Sequence, residues 1–369
     1  MSEPRVAVVC SGIGVVSRGF ERTMRDLFDT VGDSADLTLF KGAGPATSRE
    51  VPLRALRRTS PLLAPVGPDR AVAIELATFA LRLWPQLAAG RFDVIHCIEP
   101  YLLNVLAALG RRFGPRGTLL HTDGLGLTAA SLRRADALHV LTPIALETVV
   151  GEGRSAATVR TLPTGIDVAG FSPTASRAEA RQQLGLPAEQ RILLEVAALN
   201  RRHKRVDALI EEVALLPGEP LLVVAGAPEE PEVATLGRAR LGDRFRNVYV
   251  APGEMPLWYA AADVLVHGAL VEGYCLAILE AMAAGLPVIA HASPHFEWLV
   301  GDRRQLVDLE QRGAVGRALA ALPGDASARN RERVAELDWP NLVPGYLDLY
   351  AWAHETGGAL QGRSAMADK

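Results

Sequence analysis

A chain of 369 residues is long enough for two domains of ordinary size, and 49% apolar with 22% charged residues is the balance of a globular protein able to bury two cores. A net charge of −3, mildly basic in the first half and acidic in the second, excludes the strong positive field of a nucleic-acid binder, and no apolar run reaches membrane-spanning length. Cys10, Cys97 and Cys275 show no C-x-x-C spacing and fall in or beside predicted buried elements, which suits reduced thiols, and a charged first strand begins too early for a signal peptide; the expected compartment is the cytoplasm.

In chain order, 6–10 is a continuous apolar run ending in Ser11-Gly12-Ile13-Gly14, and 19–29 has helical periodicity through Phe20, Met24, Leu27 and Phe28. Strand, glycine loop and helix open a nucleotide-binding unit. As a dinucleotide fingerprint the loop fails, because Ser17 stands at the third glycine of G-x-G-x-x-G. A strand is predicted at 36–40, followed by an irregular stretch, 41–68, that groups Arg49, Arg54, Arg57 and Arg58 around Leu53, Leu56, Leu62 and Leu63. A helix at 71–87 leads to a strand at 93–97, with His96 and Glu99 at the edge where ligands of open α/β sheets gather. A helix at 102–112, a strand at 117–121, a turn at Thr122-Asp123-Gly124 and a strand at 137–141 follow. The linker is expected within 173–190, which carries a short helix at 177–184.

The second half repeats the pattern, with strands at 192–197, 221–225, 248–251 and 264–267 and helices at 205–216, 232–241 and 256–261 between them. Such alternation predicts a parallel sheet covered on both faces, and two such series predict two nucleotide-binding-like domains. Asn200-Arg201-Arg202-His203-Lys204-Arg205 places cations where a helix begins, an arrangement that holds a diphosphate. By composition alone it also fits a solvated basic turn.

The stretch 271–290, VEGYCLAILEAMAAGLPVIA, reads as a loop, a helix from about Leu276 ended by Gly285, and a buried strand. Glu280 is anomalous there, an acid on a helix apolar nearly all round, so its carboxylate is at least half buried and needs a partner. Glu272 lies in the loop that feeds the helix. With the amides of Gly273, Tyr274, Cys275 and Leu276 between them, the two acids suit a polyhydroxylated, phosphorylated ligand. Spacing alone favours the plainer reading, a first-turn acid stabilised by the helix dipole and a solvated loop residue. His267, His291 and His295 do not complete a metal-ligand set, and Pro294 keeps the last two off one helical face.

The run E-G-Y-C-L-x-x-x-E followed by A-M-A-A-G-L-P-V-I-A resembles the E-x7-E signature of the family-4 retaining glycosyltransferases, EGFGLPxLEAMACGxPVVA. Val159 to Pro173 resembles their P-N-G-V-D-x-x-x-F-x-P segment, with Thr164 for the asparagine. Arg18-Gly19-Phe20-Glu21-Arg22 is similar to G-G-A-E-R, with Arg18 for the first glycine. Lys204 matches the lysine of G-R-L-x(3–4)-K-G, and Ala198 replaces the arginine. Pro294-His295-Phe296-Glu297 stands where the family has G-G-x-x-E, and Leu337-Asp338-Trp339 resembles its closing F-S-W segment.

The resemblance implies an α/β protein of GT-B architecture, two facing Rossmann-like domains with parallel sheets and the donor in the cleft. The expected domains are 1–165 on the acceptor side, with a helix at about 341–358 packing back on it, and 166–340 on the donor side; 359–369 is expected to be a disordered tail. It implies transfer of a hexose from a UDP- or GDP-sugar to an acceptor hydroxyl with retention, without a cofactor or metal. Glu272, His121 and Lys204 take the catalytic roles. Gly14, Gly19, Arg201, Arg202, Lys204, Gly226, Val250, Glu272, Gly273, Tyr274, Cys275, Leu276 and Glu280 hold the donor. Relatives face the acceptor with the region matching 41–68, and some use a basic segment like 49–63 for peripheral membrane contact. A catalytically silent nucleotide-sugar-binding protein, an NAD-dependent oxidoreductase resting on Gly12 and Gly14, and a sugar-nucleotide epimerase remain the alternatives.

Overall fold

In the computed structural model, which describes residues 3–16, 18–114 and 117–367, the two series of strands form two separate parallel sheets. The chain divides into a first unit, Met1–Gly165 with Trp339–Lys369, and a second, Ile166–Asp338.

In the first unit the elements run β1 (Val6–Cys10), α1 (Gly19–Val31), β2 (Leu37–Lys41), β3 (Glu50–Pro52), α2 (Pro68–Gly90), β4 (Val94–Cys97), α3 (Pro100–Phe113), β5 (Thr118–Asp123), α4 (Ala129–Leu132), β6 (Ala137–Val140), α5 (Pro143–Gly151) and β7 (Val159–Thr161). Strand order is β3-β2-β1-β4-β5-β6-β7, all parallel. Helices cover both faces, so β1 is buried along its whole length and its sequence is an unbroken apolar run.

The second unit comprises α6 (Val168–Phe171), α7 (Arg177–Leu184), β8 (Ile192–Val196), α8 (Val206–Ala214), β9 (Leu221–Ala225), α9 (Pro231–Leu241), β10 (Phe245–Val248), α10 (Met255–Ala261), β11 (Val264–Val266), α11 (Leu276–Ala283), β12 (Val288–His291), α12 (Pro294–Val300), β13 (Leu306–Val307), α13 (Ala314–Ala321) and α14 (Ala326–Ala335). Its strand order, β10-β9-β8-β11-β12-β13, is that of a doubly wound nucleotide-binding fold. The order reverses between β8 and β11, and the crevice beyond their carboxyl ends is where such folds bind ligands.

The last helix, α15 (Trp339–Ala367), belongs to the first unit. Trp339, Tyr346, Leu349 and Tyr350 complete a core with Val6, Val8, Met24 and Leu27. A Cβ at Gly357 would stand 1.7 Å from Thr118 Oγ1, so only glycine lets this helix pass β5 so closely. Tyr350 Oη lies 3.1 Å from His96 Nδ1, and a buried chain continues from His96 through Thr122 and His139 to the Leu162 carbonyl.

Several expectations are corrected. Helix α15 is assigned through Ala367, and 368–369, like Ser17, lie outside the described residues. Thr122 and Asp123 are strand rather than turn, because both pair with β6. The strand expected at 248–251 lies at Phe245–Val248, since Phe245 is the buried residue that packs on Gly237 while Tyr249 is 80% exposed. In 49–63, Arg57 and Arg58 pair with the buried Glu75, Arg49 donates to the Gly32 carbonyl, and the backbone forms a short strand and a 3-10 turn at Pro61–Val66.

Candidate functional site

At the strand-order reversal of the second unit, β8 carries an acid that the apolar pattern hides. Glu195 is wholly buried, and a buried carboxylate requires partners. It has two: the Gly268 amide donates to Oε2 at 3.0 Å, and Oε1 lies 3.1 Å from His267 Nδ1. The other ring nitrogen, His267 Nε2, is 2.9 Å from Glu272 Oε1, and the Lys204 ammonium donates to that same oxygen. Glu195, His267, Glu272 and Lys204 thus form one chain of alternating acid and base, drawn from the ends of β8 and β11 and the two loops that follow them.

The electrostatics follow from this packing. Burial raises the Glu272 carboxyl, but hydrogen bonds and charge from His267, then from Lys204, outweigh it and hold the group at about 2. Burial lowers Lys204, yet Glu272 and Cys275 raise it further. His267, disfavoured as a cation by burial, is raised well above its ordinary value by Cys275 and Glu195. Glu272 is therefore a fixed anion beside the Lys204 ammonium.

The loop after β8 is held by side chain and glycine together. Asn200 Oδ1 accepts from the amides of His203 (3.1 Å) and Lys204 (2.8 Å), while its Nδ2 donates to Glu229. A Cβ at Gly226 would lie 1.9 Å from the Ala197 carbonyl oxygen, and one at Gly268 would lie 2.8 Å from that of Lys204, so both glycines are needed for the strand ends to converge. Arg201 and Arg202 are exposed, and Arg201 faces Glu230. Val250 lies in the loop beyond β10, after the Asn247 side chain that donates to the Val224 and Gly226 carbonyls.

In the loop 272–276, Tyr274 is buried with its ring against Trp298, and its carbonyl accepts from His295 Nε2 at 3.1 Å. Cys275 caps α11 with φ 80°, a left-handed conformation, and its Sγ lies 3.5 Å from His267 Nε2. Glu280 is 5% exposed, and Tyr259 Oη donates to its Oε2 at 2.7 Å, which supplies the partner its sequence position demands.

The remaining candidates belong to the first unit. Gly14 has φ 80° and a Cβ there would meet the Ala43 carbonyl at 2.4 Å; Gly19 opens α1 with free space around it. Beside them, Ser11 donates to Glu99 through both its amide (2.8 Å) and its hydroxyl. His121 is fully buried on β5, with Nδ1 3.7 Å from Cys97 Sγ and no hydrogen bond at Nε2 among the described residues. Burial, and then the nearby His139, lower it to about 3, so the ring is neutral.

Sequence reasoning therefore found Lys204 and Glu272, which the fold brings into contact, and missed Glu195 and the role of His267. The available signal was an acid inside an otherwise apolar parallel strand.

Residues 176–331 match the profile of the family described as glycosyl transferases group 1. The D-inositol 3-phosphate glycosyltransferase of Xylanimonas cellulosilytica is 30% identical over 292 residues, 72% of this chain and 68% of that protein. The chain belongs to the group 1 glycosyltransferases. Several other curated relatives of this glycosyltransferase match over about half their own length. Among solved structures, sucrose-phosphate synthase from Thermosynechococcus elongatus superposes with a TM-score of 0.75 at 24% identity, over 98% of this chain and all of that one. Anabaena Alr3699/HepE, solved with UDP and glucose, gives 0.74 at 16% identity over 94% and 99%. These likenesses place the glycosyltransferase in the GT-B fold class.

Proposed function

We propose that this glycosyltransferase moves a hexose from a UDP- or GDP-sugar to an acceptor hydroxyl with retention at the anomeric carbon and without a catalytic metal. The observation that carries the reading is the Lys204–Glu272 ion pair at the strand-order reversal of the second unit. Lys204 and the amide-rich start of α8 suit the growing charge on a departing diphosphate. Glu272, a fixed anion, suits sugar hydroxyls and the positive character that develops at the anomeric carbon. Glu280 is assigned the ribose hydroxyls, and the amides of Gly273 to Leu276, with Gly226 and the Val250 backbone, the rest of the donor. The solved relative with bound UDP and glucose supports a uridine diphosphate donor.

The test is a thermal-shift screen with UDP, GDP, ADP, TDP and NAD against wild type and Glu280→Ala. A ligand that binds only the folded state raises the melting temperature. Stabilisation of wild type and not of the variant by a nucleoside diphosphate is the expected result; a flat response to every diphosphate refutes the reading. Transfer from the matching nucleotide-sugar, followed by the anomeric proton coupling of the product, then decides retention. A second reading, a nucleotide-sugar-binding protein without turnover, is favoured by Ala198, where the family's arginine is absent, and is distinguished by binding without transfer or hydrolysis.

A further inference from the structure

Three different donor groups meet beside the Lys204–Glu272 pair: His267, Glu272 and Cys275 each offer one ligand atom, and the three atoms lie within 4.8 Å of one another. His267 Nε2 is 2.9 Å from the carboxylate oxygen and 3.5 Å from the sulfur. Tetrahedral zinc with nitrogen, oxygen and thiolate ligands has bonds of about 2.0–2.3 Å, hence ligand-to-ligand edges of roughly 3.4–3.6 Å. The nitrogen–sulfur edge is already of that length, and the nitrogen–oxygen edge needs to open by about half an ångström to match it.

The support behind these atoms is that of a metal site as well. A ligating histidine ordinarily engages its other ring nitrogen with a carboxylate or carbonyl, which fixes the ring. Here His267 Nδ1 faces Glu195, which is itself pinned by the Gly268 amide and carries no exposed surface. The third donor departs from the resembled signature. Cys275 stands where the resembled signature EGFGLP has glycine, in a left-handed conformation that favours glycine, so it places a thiol at a position where the family pattern has no side chain.

The geometry points to a site for a thiophilic divalent cation, zinc by its ligand set, formed by His267, Glu272 and Cys275 with Glu195 behind the histidine. Binding forms metal–nitrogen, metal–oxygen and metal–sulfur bonds and releases the Cys275 thiol proton, with any proton on His267 Nε2, to solvent. The metal and Lys204 compete for Glu272 Oε1, so the occupied site has its Glu272 withdrawn from Lys204 and the donor pocket closed to nucleotide-sugar. This inhibitory consequence rests on the donor role proposed above for Glu272; the metal site itself does not.

The probe is Co2+, whose thiolate charge-transfer and tetrahedral absorption report the ligands directly. Titration of the full chain, reduced and then freed of reductant, is expected to give one cobalt per chain with a sulfur-to-cobalt band that Zn2+ displaces. Cys275→Gly, which relieves the left-handed residue and so keeps the fold, abolishes that band, whereas Cys10→Ala and Cys97→Ala retain it. No thiolate band in wild type, or a band that survives Cys275→Gly, overturns the site. In a second arm, equimolar Zn2+ is expected to remove the extra melting-temperature rise that the nucleotide-sugar gives over its free diphosphate in wild type, and EDTA to restore it. An undiminished rise in zinc-loaded wild type overturns the competition. A chain that takes cobalt through Cys275 but is stabilised by no nucleoside diphosphate even without metal supports the metal site and counts against the donor reading.

Discussion

Glu195 and His267 meet where β8 adjoins β11, with Oε1 3.1 Å from Nδ1 and neither side chain more than 1% exposed to solvent. Seventy-two residues separate them in sequence. Their pairing fixes the imidazole, and the imidazole and Lys204 fix Glu272, so the ionised carboxylate of the candidate site is set in part by the wholly buried Glu195.

Removing one member of a buried pair leaves the other charge uncompensated, at a cost of about 3–5 kcal/mol. Glu195→Ala is therefore expected to destabilise the second unit by that order, since it strands both His267 Nδ1 and the Gly268 amide, and Glu195→Gln by less, because the amide keeps an oxygen for Gly268. Urea unfolding of wild type and both variants measures the order of the three.

Lys204→Ala is expected to lower the rate of transfer about 100- to 1,000-fold, the usual loss when one preorganised stabiliser of developing charge is removed. Its side chain is part-exposed and its loop is held through Asn200, so the fold should survive. Turnover with the nucleotide-sugar identified by thermal shift, beside an unchanged circular dichroism spectrum, checks both halves.

Acid should weaken the protein in two stages. His139 is lowered by burial to about 4 and His121 to about 3, from an ordinary 6.5. In the unfolded chain these rings bind protons that the folded form refuses, so stability present above about pH 6.5 falls as the pH drops towards 4. Glu272, held at about 2 against an ordinary 4.5, adds a second loss as pH falls from about 4.5 towards 2. Melting temperature against pH is expected to show a first decline that His139→Gln reduces and a lower one that Glu272→Gln reduces.

Cys275→Gly tests the left-handed turn before α11. An L-residue there carries about 1–2 kcal/mol of strain, while glycine loses about 0.5–1 kcal/mol more entropy on folding. The net expectation is a gain on the order of 1 kcal/mol. Gly226→Ala, whose Cβ would lie 1.9 Å from the Ala197 carbonyl, is expected to do the reverse, and thermal melts of the two variants separate these signs.

Much of the fold is legible in the chain because it depends on local regularities. The alternation of apolar runs and helical periodicity predicts two parallel-sheet series, and the start of α7 at Arg177 follows from a Ser176 to Glu179 capping box and its end from the left-handed Gly185. The stretch 271–290 is equally readable: Gly285 takes φ 74° after α11, and the anomalous Glu280 does find a buried partner. That the partner is Tyr259, twenty-one residues away on α10, is not a local property. Nor is the exact course of β10, whose position follows from where Phe245 must pack.

The sequence by itself therefore determined the elements, the fold class they assemble into and two of the charged residues, since each is encoded in spacing or in a contiguous motif. Only the tertiary structure decided the site's wiring. Glu195 reads as one acid in an apolar strand and His267 as a strand-end histidine until the reversal of strand order sets β8 beside β11; hydrogen bonding between parallel strands, not proximity along the chain, makes them neighbours of Glu272, Lys204 and Cys275.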